Sequence, residues 1–182
     1  MIRLFVGLDL PPALDERIAA LGVGLPGARW VPARNLHLTL RFIGEVDEDT
    51  AEEIHYGLAR LDVPGFDLTL TGLGLFGDSR RAHTLWLGVE TSEPLGLLAR
   101  LVDGAVVRAG CKPEPRRFSP HVSLARLKEA DPARLQSFIS EAPVFRARTP
   151  ISDFALFRSV LHRDGPEYDV LERYPLGPTP LI

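Results

Sequence analysis

His37 and Thr39 stand two residues apart in the run Asn35 to Ile43 (NLHLTLRFI), and His121 and Ser123 repeat that spacing in the run His121 to Leu127 (HVSLARL). Successive side chains of an extended strand alternate between faces, so each pair projects an imidazole and a hydroxyl from one side, opposite a row of Leu or Val. An imidazole titrates near pH 6.5, so one copy can be neutral while the other is protonated close to neutrality. One ring can then take a proton from water while the other protonates a departing oxygen, and the hydroxyls serve as neutral donors to phosphoryl oxygens. Those are the requirements for opening a cyclic phosphodiester, whose strained five-membered ring needs no metal to react. The spacing leaves open which histidine is the acid and which the base. The five histidines (37, 55, 83, 121, 162) and the single cysteine make no H-x-x-x-H or C-x-x-C pattern, so neither a metal site nor a cofactor is expected.

Elements able to hold such strands are legible on both sides of them. Ile2 to Leu10 reads as a strand that stops at Pro11-Pro12, and Ala13 to Leu21 as a helix. Asp47 to Leu61 reads as a helix with an acidic start and an apolar stripe at Ile54, Leu58 and Leu61. Phe66 to Phe76 and His83 to Val89 are strand-like runs around a Gly77-Asp78-Ser79 turn, and Pro94 opens a helix to about Ala109. After the second motif, Pro132 opens a short helix, while Val144 to Val160 and Tyr168 to Tyr174 read as closing strands around Asp164-Gly165-Pro166. The mixture lacks a βαβ rhythm and a glycine-rich phosphate loop, so the expected class is α+β with antiparallel sheets. HLTL and HVSL, each followed by a helix, predict a duplicated strand–helix unit with the two motif strands facing one another across a cleft.

At 182 residues with 45% hydrophobic content the chain can fill a real core, and its formal charge of -3 gives no bulk attraction to long polyanions. Any nucleic-acid contact must come from a local basic patch, and Arg34, Arg41, Arg116, Arg117 and Arg126 flank the motifs to supply one. One cysteine allows no intrachain disulfide, and no run is long enough for a bilayer, which together predict a cytoplasmic protein without membrane contact. Trp30 and Trp86 are expected to anchor packing, and His55, His83 and His162 to take no part in chemistry.

The chain resembles the 2H phosphoesterase superfamily, and within it the bacterial and archaeal RNA 2′,3′-cyclic phosphodiesterases historically called 2′-5′ RNA ligases. The resemblance rests on Phe5-Val6-Gly7, on Trp30-Val31, on the motif at 37–40 with Phe42 and Gly44-Glu45, on Phe118 to Arg126, and on Gly165 to Tyr168. It implies one domain over residues 1–182, with two lobes, two antiparallel sheets and flanking helices in pseudo-twofold symmetry about a central cleft. It also implies one motif per lobe (37–40 and 121–124), RNA ends or nucleotides bearing a 2′,3′-cyclic phosphate as partners, and a 2′-phosphomonoester product. His37 becomes the proton donor and His121 the acceptor. Ser123 stands where many relatives carry Thr, keeping the hydroxyl and losing the methyl.

Phe42 and Arg126 are each the fifth residue after a motif histidine, so they are candidates to sandwich the terminal base. Strict alternation turns both to the face opposite the histidines, and a bulge is needed to bring them round. Three other functions share these residues: 2′-5′ RNA ligation by the reverse reaction, hydrolysis of a small cyclic nucleotide, and nucleotide binding without turnover.

Overall fold

The computed structural model describes residues 1–22, 24–77 and 82–179. Branched and aromatic residues form the first strand, β1 (Ile2–Asp9), and the two prolines end it and open α1 (Pro12–Ala19), where a missing N–H costs nothing. A short strand, β2 (Ala28–Trp30), and a 3-10 turn at Ala33–Asn35 lead into the first motif strand, β3 (His37–Val46). The Asp47 carboxylate accepts the Thr50 amide at 2.8 Å and starts α2 (Glu48–Ala59). Then come β4 (Phe66–Phe76), β5 (Thr84–Val89) and α3 (Glu93–Arg108), the last capped by Ser92. The second motif strand, β6 (His121–Leu127), is followed by α4 (Pro132–Glu141), β7 (Arg146–Ile151), β8 (Asp153–His162) and β9 (Gly165–Pro175). Asp78 and Ser79, read from the sequence as a turn, lie outside the described residues.

The strands run in the order β7-β4-β5-β6-β3-β1-β8-β9, with β2 added on β6, and every named strand pair is antiparallel. At its centre β3 meets β6 through one register pair, Leu38 opposite Val122. The two antiparallel sheets expected from the sequence are therefore two four-stranded arms of one curled path, β9-β8-β1-β3 and β6-β5-β4-β7, each with its motif strand innermost. The motif strands do not face each other across a gap; they touch edge to edge at this seam and splay from it. In the chain, β1-α1-β3-α2 and β5-α3-β6-α4 repeat as strand–helix–motif strand–helix; β4, between the two repeats, crosses into the second arm, and β8, after β7, returns to the first.

One face of this sheet is dry. Leu38 and Leu40 of β3, Val122 and Leu124 of β6, and Leu4, Val6 and Leu8 of β1 pack with Ile54 and Leu58 of α2 and Leu98, Val102 and Val106 of α3. The other face carries a small separate cluster of Phe5, Ala155 and Phe157 with Tyr168 against it, and it is this side that bears the motif histidines. No described helix is long and apolar enough to cross a membrane.

Candidate active site

In an antiparallel ladder centred on Leu38 and Val122, His37 comes level with Ser123, and Thr39 with His121. The four groups thus occupy the corners of a quadrilateral with the imidazoles on one diagonal. His37 Nδ1 lies 2.7 Å from the carbonyl oxygen of Asn35, and His121 Nδ1 lies 2.8 Å from that of Ser119. A carbonyl oxygen can only accept, so in both rings Nδ1 carries the proton and Nε2 is the atom whose protonation changes. Thr39 Oγ1 stands 3.0 Å from His37 Nε2.

Aromatic walls set the solvation of the two rings. His37 lies 4.8 Å from the Phe5 ring and meets the Tyr168 ring edge-on at 5.1 Å, while Phe5 stacks on Phe157 at 4.7 Å. His121 meets Phe76 edge-on at 4.7 Å and has Trp86 at 6.4 Å. The Trp86 ring lies across Gly74, where an added Cβ would sit 2.1 Å from it, so only glycine leaves this wall its place. Burial lowers the pKa of His37 below its ordinary value, opposed by the Asn35 carbonyl and the Asp9 carboxylate and reinforced by the charge of His121. Burial also lowers the pKa of His121, opposed by the Ser119 carbonyl.

Two bulges decide what else reaches this face. On β1, Phe5 and Gly7 share a face; Gly7 pairs with Thr39 but Phe5 pairs with Phe42, so one extra residue, Leu40, is inserted and Phe42 turns to the side of Thr39. On β5, Thr84 and Trp86 share a face; Trp86 pairs with Ser123 but Thr84 pairs with Arg126, so Leu124 is the matching insertion. Leu40 and Leu124 are each the third residue after a motif histidine. All six residues singled out from the sequence, His37, Thr39, Phe42, His121, Ser123 and Arg126, consequently line one cleft of about 840 Å³.

The basic patch differs from the expected one. Arg34 and Arg126 line the cleft, whereas Arg41 is buried behind β3 and paired with Asp103 and Glu114. Arg116 is exposed and paired with Glu114, away from the cleft lining, as is Arg117. Arg3 and Arg29 take their places: Arg3 lies 5.1 Å over the Phe42 ring, and Arg29 donates to the Asp164 carbonyl at 2.5 Å. Sequence reasoning missed both: alternation back from Gly7 through Phe5 is the signal that could have found Arg3, whereas β2, at three residues, carries none for Arg29. It also gave His162 no place, yet His162 lines the cleft 3.2 Å from Glu167. Trp30 lines it as well while packing on Phe138 at 5.8 Å. Asn35, buried, donates at 2.8 Å to the Pro166 carbonyl and ties the approach to His37 to the β8–β9 hairpin. Tyr168, from that hairpin, walls His37. His83 is exposed, as expected, and His55 bonds the Tyr174 hydroxyl at 3.0 Å, away from the cleft.

An α+β sheet curled about a cleft, with one H-x-[T/S]-x strand from each arm at its seam, defines a phosphoesterase of the two-histidine class. The family model described as LigT like Phosphoesterase matches the chain twice in succession, over residues 8–86 and again over residues 87–168, one motif in each match. The chain belongs to this family. It is 37% identical over 163 residues to the RNA 2′,3′-cyclic phosphodiesterase of Aeropyrum pernix, covering 87% of this chain and 90% of that one. It is 34% identical to the enzyme of the same name from Escherichia coli, over 96% of each. Among solved structures, one of E. coli LigT complexed with 3′-AMP aligns with a TM-score of 0.79 at 33% identity, covering 96% of this chain and 98% of that one.

Proposed function

We propose that this chain, acting as one domain, opens the terminal 2′,3′-cyclic phosphate of RNA to a 2′-phosphomonoester by metal-independent acid–base catalysis. The observation that carries this reading is the paired pinning of Nδ1, which presents two reactive Nε2 atoms to one cleft. The names of its relatives in Aeropyrum pernix and Escherichia coli support the substrate.

His121 Nε2 takes a proton from water as the water oxygen attacks phosphorus. The bond from phosphorus to the 3′ oxygen breaks, and His37 Nε2–H protonates that oxygen, so one water is consumed and both rings have exchanged protonation states. The resemblance assigns these roles; burial lowers the pKa of both imidazoles, and the Asp9 carboxylate, present only beside His37, offsets part of that lowering there. Thr39 Oγ1, 3.0 Å from His37 Nε2, is freed to give its hydroxyl proton to a phosphoryl oxygen when substrate draws the Nε2–H to the leaving 3′ oxygen. Ser123 supplies the matching donor. Phe42 and Arg126, brought round by the two bulges, hold the base between a ring and a guanidinium. The lone cysteine suits a reducing cytoplasm.

Turnover of an oligonucleotide ending in a 2′,3′-cyclic phosphate, with the product phosphate located by NMR, tests the reading. The expected product is the 2′-phosphomonoester, formed at an unchanged rate after exhaustive chelation. A 3′-phosphate, or activity lost with EDTA and restored by a divalent cation, would contradict it.

A further inference from the structure

We propose that Arg41 is a positioning residue, itself buried, whose ion pairs with Asp103 and Glu114 hold the β3 bulge at Leu40 and so aim Phe42 into the cleft; the inference rests on Phe42 being the base platform. The bulge puts two neighbours on sides their chemistry disfavours. Leu40 and Arg41 both turn inward, at 6% and 8% exposure, while Phe42 turns outward at 42%. Regular alternation would do the reverse, placing Arg41 on the wet face beside Thr39 and burying the Phe42 ring. Burying a guanidinium and wetting a phenyl ring both oppose folding, so the bulged register needs an offset.

Arg41 itself supplies that offset. Its Nε lies 2.7 Å from Asp103 Oδ1 on α3, an ion pair in which the N–H is not aimed at that oxygen. Nη1 lies 3.2 Å from Glu114 Oε2 and donates to the Phe42 carbonyl at 2.8 Å, and Nη2 donates to the Lys112 carbonyl. Two carboxylates offset the charge, and Glu114 and two carbonyls accept from Nη1 and Nη2 while Nε keeps only its ion-pair contact, an arrangement that a lysine cannot reproduce. One of those carbonyls belongs to Phe42, so the guanidinium grips the backbone of the residue it aims. Lys112 and Glu114 lie on the segment running into Ser119 and His121, so the same group ties the two motifs together from behind. At the matching bulge on β6 the inward residue is Ala125, apolar and at 0% exposure, and no such device is present there.

Steady-state kinetics on a 2′,3′-cyclic mononucleotide, comparing the full chain with Arg41→Lys, Phe42→Ala and the double variant, separate aiming from general stability. Amide hydrogen exchange over residues 39–43 reports the bulge directly. Arg41→Lys is expected to raise KM by roughly 5- to 150-fold, the range for losing one stacked base, with kcat little changed. In the Phe42→Ala background it should add no further rise, and exchange over residues 39–43 should quicken. Asp103→Asn, a milder change to the same ion pair, should shift KM and exchange in the same direction and serves if Arg41→Lys does not fold. Additive KM effects, or an unchanged KM in a folded Arg41 or Asp103 variant while Phe42→Ala raises it, would overturn the proposal. An unchanged KM in Phe42→Ala would instead remove the base-platform reading; the bulge claim then stands or falls on whether exchange quickens in the Arg41 and Asp103 variants.

Discussion

Both catalytic candidates are oriented by the same local device, an Nδ1–H bonded to the carbonyl two residues upstream, so one geometric rule serves both arms of the sheet. Replacing either His by Ala should lower kcat by roughly 10²–10⁴-fold, the usual worth of one positioned proton-transfer group, without loss of fold, since each ring faces the cleft. Thr39→Ala and Ser123→Ala should each cost about 1.5–3 kcal/mol of transition-state stabilisation, one charge-assisted hydrogen bond. Wild-type kcat in any one of these four, measured at saturating substrate, would remove that group from the mechanism. The His–hydroxyl pairs were legible in the sequence because their spacing equals the pleat period, which needs no tertiary information. Phe42 and Arg126 were legible as candidates but not as cleft residues: their direction depends on insertions at Leu40 and Leu124, and those are set by the partner strands β1 and β5.

At the scale of elements, proline and capping signals place the four α-helices of the described residues, and composition places most strands. Ala28–Trp30 is illegible because three residues carry no periodicity, and Val144 to Val160 reads as one run because the break at Ser152 between β7 and β8 is a tertiary event. Helix α1 holds a feature that no pattern announced. Asp15 Oδ1 is buried without a hydrogen-bond partner, and burial first, then the Asp9 charge, pushes the Asp15 carboxyl up to about 7 from 3.8. Between those values the folded chain holds a proton that the unfolded chain has released, so stability falls as pH rises from about 4 to about 7 and levels off above. Asp15→Asn should therefore leave Tm nearly unchanged near pH 4, raise it increasingly up to pH 7, and hold a constant advantage beyond. Thermal melts across that range check this, and a Tm difference independent of pH would show that Asp15 is not the titrating group.

On the scale of the whole molecule, the net charge of -3 is compatible with a phosphate site because four arginines, 3, 29, 34 and 126, line a single cleft. The two arms that bring them together share one register pair, so the seam at Leu38 and Val122 sets the separation of the imidazoles. Leu38→Ala should cost about 2–5 kcal/mol of stability, read from urea unfolding, and should also depress kcat in the fraction that stays folded, because small displacements of reacting groups are costly. Unchanged kcat in that folded fraction would mean that the helices, not the seam, fix the spacing. The duplicated unit was visible as HLTL and HVSL, but the edge-to-edge meeting of the two strands was not, since which strands become neighbours depends on β4 and β8 changing arms. The claim that the two imidazoles act as an acid–base pair is tested most directly by the pH dependence of kcat/KM in wild type and in the two histidine variants. Because burial lowers both pKa values, the wild-type profile should be a bell whose maximum lies on the acid side of 6.5. His37→Ala should lose the alkaline limb, leaving a rate that rises to a plateau, and His121→Ala should lose the acid limb. A wild-type profile without two limbs, or variants that keep both, would contradict the pairing.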